Sequence, residues 1–303
     1  MKKVLLIIFI FTSTFLFANQ IDSLNNSKDV EEFAKKIYPK FTKFEWSEFK
    51  IISTEKVKEK VSCKDEYDLL GMKNWEKIDI TNDGLTDLIL TAYWGTTLYS
   101  YAIVDNGNNS FKTYTLSKNV FDNCELFKPI KKGDLNYLKI YIKKQEQVGL
   151  MESKELIIKD TLIFKFQEFI ELNKKPANYK IKGIEFQTSG CYGTCPVFNL
   201  KINYKGKAEF NGQAYIKHKG KSERKIPIKL FNQIQELLEF IEVKKLKDNY
   251  SVAWSDDQTS TLTIHFNDNS IKKIRDYGMI GTFGLMAVYS KLIEIGKETE
   301  WKK

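Results

Sequence analysis

The chain has 303 residues, 42% hydrophobic and 14% aromatic, which supplies apolar material for packed cores and excludes global disorder. Its 48 lysines and arginines against 39 acids give a net charge of +9, or +7 without Lys2 and Lys3, scattered through both halves. The densest basic runs, Lys217-His218-Lys219-Gly220-Lys221 and Lys244-Lys245-Leu246-Lys247, are short, whereas a nucleic-acid footprint needs a stripe with stacking aromatics beside it, so solvated lysine faces are expected and no nucleic-acid partner.

Met1-Lys2-Lys3 is a basic head, residues 4–17 form an almost unbroken apolar run, and Ala18 offers a small residue for cleavage, so residues 1–18 read as a signal peptide. The run is short for a bilayer span, although an uncleaved anchor is the alternative. No later segment approaches about 18 apolar residues, so no transmembrane segment is expected after cleavage. The mature chain is accordingly expected to be extracytoplasmic, periplasmic or secreted. Its length suits two domains, 19–174 and 180–303, joined across the polar, proline-bearing Asn173-Lys174-Lys175-Pro176-Ala177-Asn178.

The first domain reads as mostly β behind one helix over 29–38, which spaces Val30, Phe33, Ala34 and Ile37 on one face with Ser27 as cap. Strands are expected at 49–53, 75–79, 85–92, 99–104, 111–116, 137–143 and 161–169, with Asn106-Gly107-Asn108-Asn109 turning between two of them. Asp79-Ile80-Thr81-Asn82-Asp83-Gly84-Leu85-Thr86-Asp87 puts oxygen ligands at alternate positions around a glycine, as a Ca²⁺ loop requires, with Asp79, Thr81, Asp83 and Asp87 as side-chain ligands. Thr81 and the absence of a closing glutamate make that affinity weak at best. An Asp/Asn/Gly β-turn whose carboxylates cap its own amides is the favoured alternative.

Outside the cytoplasm an even count of four cysteines suits two disulfides. Of the three pairings, Cys63–Cys124 with Cys191–Cys195 is the least demanding, because each bond stays inside one folding unit.

The second domain reads as α+β. Short strands are expected at 182–188, 197–204, 207–210, 214–217, 261–266 and 270–275. Pro227 opens a helix carrying Leu230, Ile234, Leu237, Leu238 and Ile241, and a last helix over 282–295 carries Leu285, Val288, Leu292 and Ile295. The overall expectation is an α+β fold of two β-rich domains, the second an antiparallel sheet with helices packed on one face. Asp256 is read as capping the Thr259-Ser260-Thr261 turn, and Tyr250, Trp254 and Trp301 as buried aromatics rather than a groove.

Two resemblances follow from these motifs. The Asp79–Asp87 stretch resembles the calcium loops of secreted bacterial FG-GAP-type repeat proteins over about ten residues. Cys191-Tyr192-Gly193-Thr194-Cys195-Pro196, followed by Gly206, Gly212, Tyr250, Asp256 and Trp301, resembles an uncharacterised family of secreted bacterial domains of unknown function from about residue 184 to 301. Gln258 departs from the family's tendency to proline. The resemblance implies export and an α+β fold and carries no catalytic residue.

Cys-x-x-x-Cys-Pro also resembles the motif of the copper-delivery chaperones of cytochrome oxidase, with His265 available as a third ligand beside Cys191 and Cys195. The βαβ pattern of their thioredoxin-like fold is missing, so a structural disulfide is the favoured reading. No Gly-x-Ser-x-Gly elbow, His-Glu-x-x-His helix or phosphate-binding glycine loop is present, and two histidines leave hydrolytic triads little to work with. The expectation is a non-enzymatic exported protein without a resident cofactor, possessing at most weak calcium affinity, that binds a ligand or an envelope protein. The alternative is a thiol-dependent copper or redox protein.

Overall fold

The computed structural model describes residues 20–42, 48–118, 124–147, 152–297 and 301; the signal-peptide reading lies outside them. The chain opens with α1 (Ser27–Ile37). Asn26 caps it, its Oδ1 accepting from the amides of Lys28 and Asp29. Ser27, the expected cap, instead accepts from Asn74 Nδ2 and Trp75 Nε1. Strand β1 (Phe49–Lys50) is cut short because Ser53 caps α2 (Thr54–Lys60), accepting from the Lys56 amide. Then come α3 (Lys64–Leu69), β2 (Trp75–Ile78), β3 (Asp87–Trp94), β4 (Thr97–Asp105) and β5 (Phe111–Thr115). Strands β1, β3, β4 and β5 run in that order in an antiparallel sheet, with β2 also on β3. Helices α2 and α3 bury one residue each, Val57 and Tyr67, too few to write a periodic pattern into the sequence.

A second antiparallel sheet holds β6 (Glu125–Lys132), β7 (Leu135–Gln147), β8 (Ser153–Lys165) and β9 (Glu168–Glu171), in that order. The single strand expected over 161–169 is in fact a hairpin. Phe166 and Gln167 both take positive φ (57° and 63°), the backbone of a two-residue turn normally signalled by Asn-Gly. Strand β6 contains Pro129, which is tolerated because β6 lies at the sheet edge.

The third sheet is built from β10 (Ile181–Thr188), β11 (Val197–Asn203), β12 (Lys207–Ala214), β13 (Gly220–Lys225), β14 (Asn249–Ser251), β15 (Thr259–Phe266) and β16 (Ile271–Tyr277), with α4 (Ile228–Phe240) after β13 and α5 (Phe283–Lys297) last. Its order is β13-β12-β11-β10-β15-β16-β14. All neighbours are antiparallel except β14 and β16. Alternate residues Phe186, Phe198, Phe210, Leu262, Ile264 and Ile274 bury one face against Ile234, Leu237 and Leu238 of α4 and Leu285, Val288 and Leu292 of α5. The fold is α+β, strand-rich, with helices on one face of the last sheet. The strand read over 207–210 runs on to Ala214 as β12, the one read over 214–217 is not formed because residues 215–217 bend away after it, and β13 pairs beside β12. Pro227 sits one residue before the helix as its N-cap (φ −55°, ψ 131°).

The 173–178 segment is tied down rather than free: Asn173 Nδ2 donates to the Phe240 carbonyl at 2.6 Å, and the Ala177 amide to the Glu239 carbonyl at 3.2 Å. Just before it, Glu171 on β9 accepts from the Phe283 amide at 2.6 Å and the Gly284 amide at 2.8 Å, capping α5 from the neighbouring sheet. Gly284 makes this possible, because a Cβ there would strike Ile241. Among the described residues no helix is long and apolar enough to cross a membrane.

Candidate functional site

Cys191 and Cys195 are bonded across a turn with Cα atoms 5.8 Å apart, and Cys63 and Cys124 are bonded with Cα atoms 5.6 Å apart, leaving no free cysteine. The two bonds have different surroundings. Cys63 and Cys124 are buried among Val57, Val61, Tyr67 and Met72, whereas the 191–195 turn lies at the surface with Tyr192 93% exposed. The Tyr192 amide donates to the Asp256 carbonyl at 2.9 Å. Gln258 Nε2 donates to the carbonyls of Ser189 (2.9 Å) and Pro196 (2.8 Å), closing the turn at both ends. A proline there would have no such donor. The turn expected at 259–261, with Asp256 as its cap, is instead the start of β15, and the Thr259 amide donates to Ser189 Oγ. Strand β11 starts directly after Pro196.

His265 does not join the cysteines. It pairs opposite Gly183 on β10 and meets Glu185 Oε1 at 3.0 Å, while the cysteine turn follows Thr188 at the other end of that strand. Five residues of strand put roughly 16 Å between the two places. Among the described residues no three His, Cys, Asp or Glu side chains gather to hold a metal ion.

In the Asp-rich loop the carboxylates serve the chain itself. Asp79 accepts from the amides of Asp83 (3.0 Å) and Gly84 (2.9 Å), and Asp83 from Leu85 (2.9 Å). Asp87 is fully buried and accepts from Ile80 (2.9 Å), Thr81 (3.1 Å) and Asp105 (2.9 Å). Burial pushes its carboxyl up to about 6 against the pull of those amides. Thr81 Oγ1 lies 3.5 Å from Asp79 Oδ1. These are the bonds of an Asp-closed β-turn.

A concavity of about 390 Å³ lies elsewhere, between the second sheet and the helical layer of the third. Register sets its floor: Glu125, Ile142 and Ile158 are cross-strand neighbours on β6, β7 and β8, and Phe127, Ile140 and Asp160 form the next row. The roof is the end of α4 (Phe240, Ile241), Leu246, and the Ile280-Gly281-Thr282-Phe283 approach to α5. Gly281 is required there, because a Cβ would lie 2.8 Å from Asp276 Oδ2 and 2.9 Å from the Tyr250 ring. Lys118 and Lys144 contribute the positive charge. The Lys118 ammonium lies 3.8 Å over the Phe283 ring, and desolvation lowers it to about 8.

None of these lining residues was read from sequence as a site residue, because segments far apart in the chain make the cleft. One signal was present: β7 runs Leu138, Ile140, Ile142 on its core face and then puts Lys144 at the next core-facing position.

Residues 182–296, less than half of the chain, match a family described as Domain of unknown function (DUF6438). The Asp-rich loop and the whole cleft floor fall outside that match. No curated protein and no solved structure matches the chain.

Proposed function

We propose that this is an exported, non-enzymatic binding protein whose ligand occupies the cleft between the second sheet and the helices of the third. The observation that carries this reading is the cleft itself. An apolar floor of Ile140, Ile142 and Ile158, an aromatic wall of Phe240 and Phe283, and a few convergent charges are the make-up of a small-molecule site, and its volume falls in the usual range of roughly 300–1,000 Å³. The lining residues include no Ser, Cys or His, so no hydrolytic triad of those residue types lines the cleft. Export belongs to the same proposal: two disulfides suit an oxidising compartment. The competing reading, copper or thiol redox chemistry at Cys191 and Cys195, needs that bond opened and a third ligand other than His265 as it is now placed.

The test uses N-phenyl-1-naphthylamine, a neutral apolar fluorophore, titrated into the mature chain. Saturable binding is expected, and Ile158→Trp, which projects an indole from the half-buried floor into the cleft, should abolish it with the melting temperature retained. Equal binding by the folded variant, or none by the parent, would contradict the proposal.

A further inference from the structure

The charged groups around the cleft are unequally committed. Glu171 gives one oxygen to the Phe283 amide and the other to the Gly284 amide. Both Glu125 oxygens accept from the Lys118 amide, at 3.1 and 2.9 Å. Glu242 is paired with Lys245 at 2.6 Å, and Asp160 accepts from the Thr161 amide at 2.7 Å. The acids are therefore held by helix ends, backbone amides or a neighbouring lysine.

The two lysines are not. Among the described residues neither Lys118 nor Lys144 ends in an ion pair, and the Lys118 ammonium has only the Phe283 ring beneath it. The nearby carboxylates of Glu171, Glu125 and Asp276 favour the charge of Lys118 without forming an ion pair with it, and the charge of Lys144 disfavours it. An ammonium withdrawn from water with no carboxylate in direct contact is an unfavourable arrangement, which an anion brought into contact relieves. The apolar rows of the floor begin beside these lysines, so one ligand can serve both features.

We infer that the ligand is a small amphipathic carboxylate, its anionic end between Lys118 and Lys144 and its apolar body along Ile140, Ile142 and Ile158. This rests on the cleft being the binding site. It goes further by fixing the sign of the ligand's charge and the end of the cleft that reads it. A cationic amphiphile of the same length would meet two ammonium groups and acids already engaged, and a neutral one would leave both lysines unpaired.

Octanoate, 1-octanol and octylamine, matched in chain length, decide the matter by calorimetric titration at pH 7 into the disulfide-intact mature chain. Octanoate should bind at least about tenfold more tightly than octanol, the difference expected from a charge-assisted contact, and octylamine more weakly than either. Lys118→Met should reduce the octanoate-to-octanol preference to about threefold or less while octanol binding persists. Should Lys118→Met fail to fold, Lys144→Met makes the same forecast, and the three-ligand comparison on the parent chain stands by itself. Equal affinity for octanoate and octanol, a preference for octylamine, or a preference for octanoate that survives both substitutions would overturn the ligand class. So would failure of octanoate to bind a chain that binds the neutral fluorophore, and in all these cases the cleft remains the binding site. Failure of the fluorophore and all three ligands together would overturn the binding reading as well.

Discussion

Removing the two disulfides one at a time should give unequal losses. Cys63 and Cys124 are 61 residues apart in sequence and Cys191 and Cys195 only 4. In the chain-entropy description a closed loop of that larger size restricts the unfolded chain by about 4 kcal/mol, and a five-residue loop by about 2. Surroundings widen the gap. Cys63 and Cys124 are buried in a cluster with Val57, Val61, Tyr67 and Leu126, so serine hydroxyls would be left in apolar contact at a further cost of roughly 1–3 kcal/mol. The 191–195 turn keeps its Gln258 and Asp256 backbone tethers without the bond. Cys63→Ser/Cys124→Ser should therefore cost about 5 kcal/mol, and Cys191→Ser/Cys195→Ser about 2 or less. Urea denaturation of both double variants measures the difference. An equal loss, or a larger one at the 191–195 turn, would refute the reasoning and point to a turn that organises more of the fold than its hydrogen bonds indicate.

Asp87→Ala orphans three buried amides and should cost roughly 3 kcal/mol or more at about 1 per amide, read by the same denaturation; a loss under about 1 would contradict it. Because the folded carboxyl of Asp87 lies at about 6, above its ordinary 3.8, the folded chain holds that proton more tightly, and this contribution to stability is full below about pH 4 and lost as pH rises to about 6. A ¹³C titration of the carboxyl should show a midpoint near 6, and one at or below 4 would be contrary. Calcium at micromolar levels should leave the melting temperature unchanged, since the loop carboxylates hold amides; a clear rise removed by Asp83→Ala would favour the metal loop. Glu171→Ala removes the cap of α5 and should cost about 1–2 kcal/mol in urea, with less than about 0.5 arguing against the cap.

The last sheet was largely legible because its burial is one-sided: Thr259–Phe266 alternates buried and half-buried residues throughout, and α5 places Leu285, Val288, Leu292 and Ile295 at helical spacing. The first domain was read less well where tertiary context overrode local signals. Ser53 and Asn26 became caps, Phe166-Gln167 adopted a turn that neither residue advertises, and Pro129 sat in a strand because that strand is an edge. The cysteine spacing announced a local turn, since two residues four apart meet only when the chain bends. The cleft was illegible for a different reason. Lys118, Ile142, Glu171 and Phe283 come together through register and cross-sheet capping, which no window of sequence contains.

The most direct measurement of the central claim is a transverse-relaxation-optimised ¹H–¹⁵N titration of the mature chain with octanoate. The largest shifts are expected at Ile142, Glu171, Asn173, Gly281, Thr282 and Phe283 around the cleft, with the Tyr192 and Gly193 amides unmoved. Shifts concentrated at the 191–195 turn, or along the Glu185–His265 face, would contradict it.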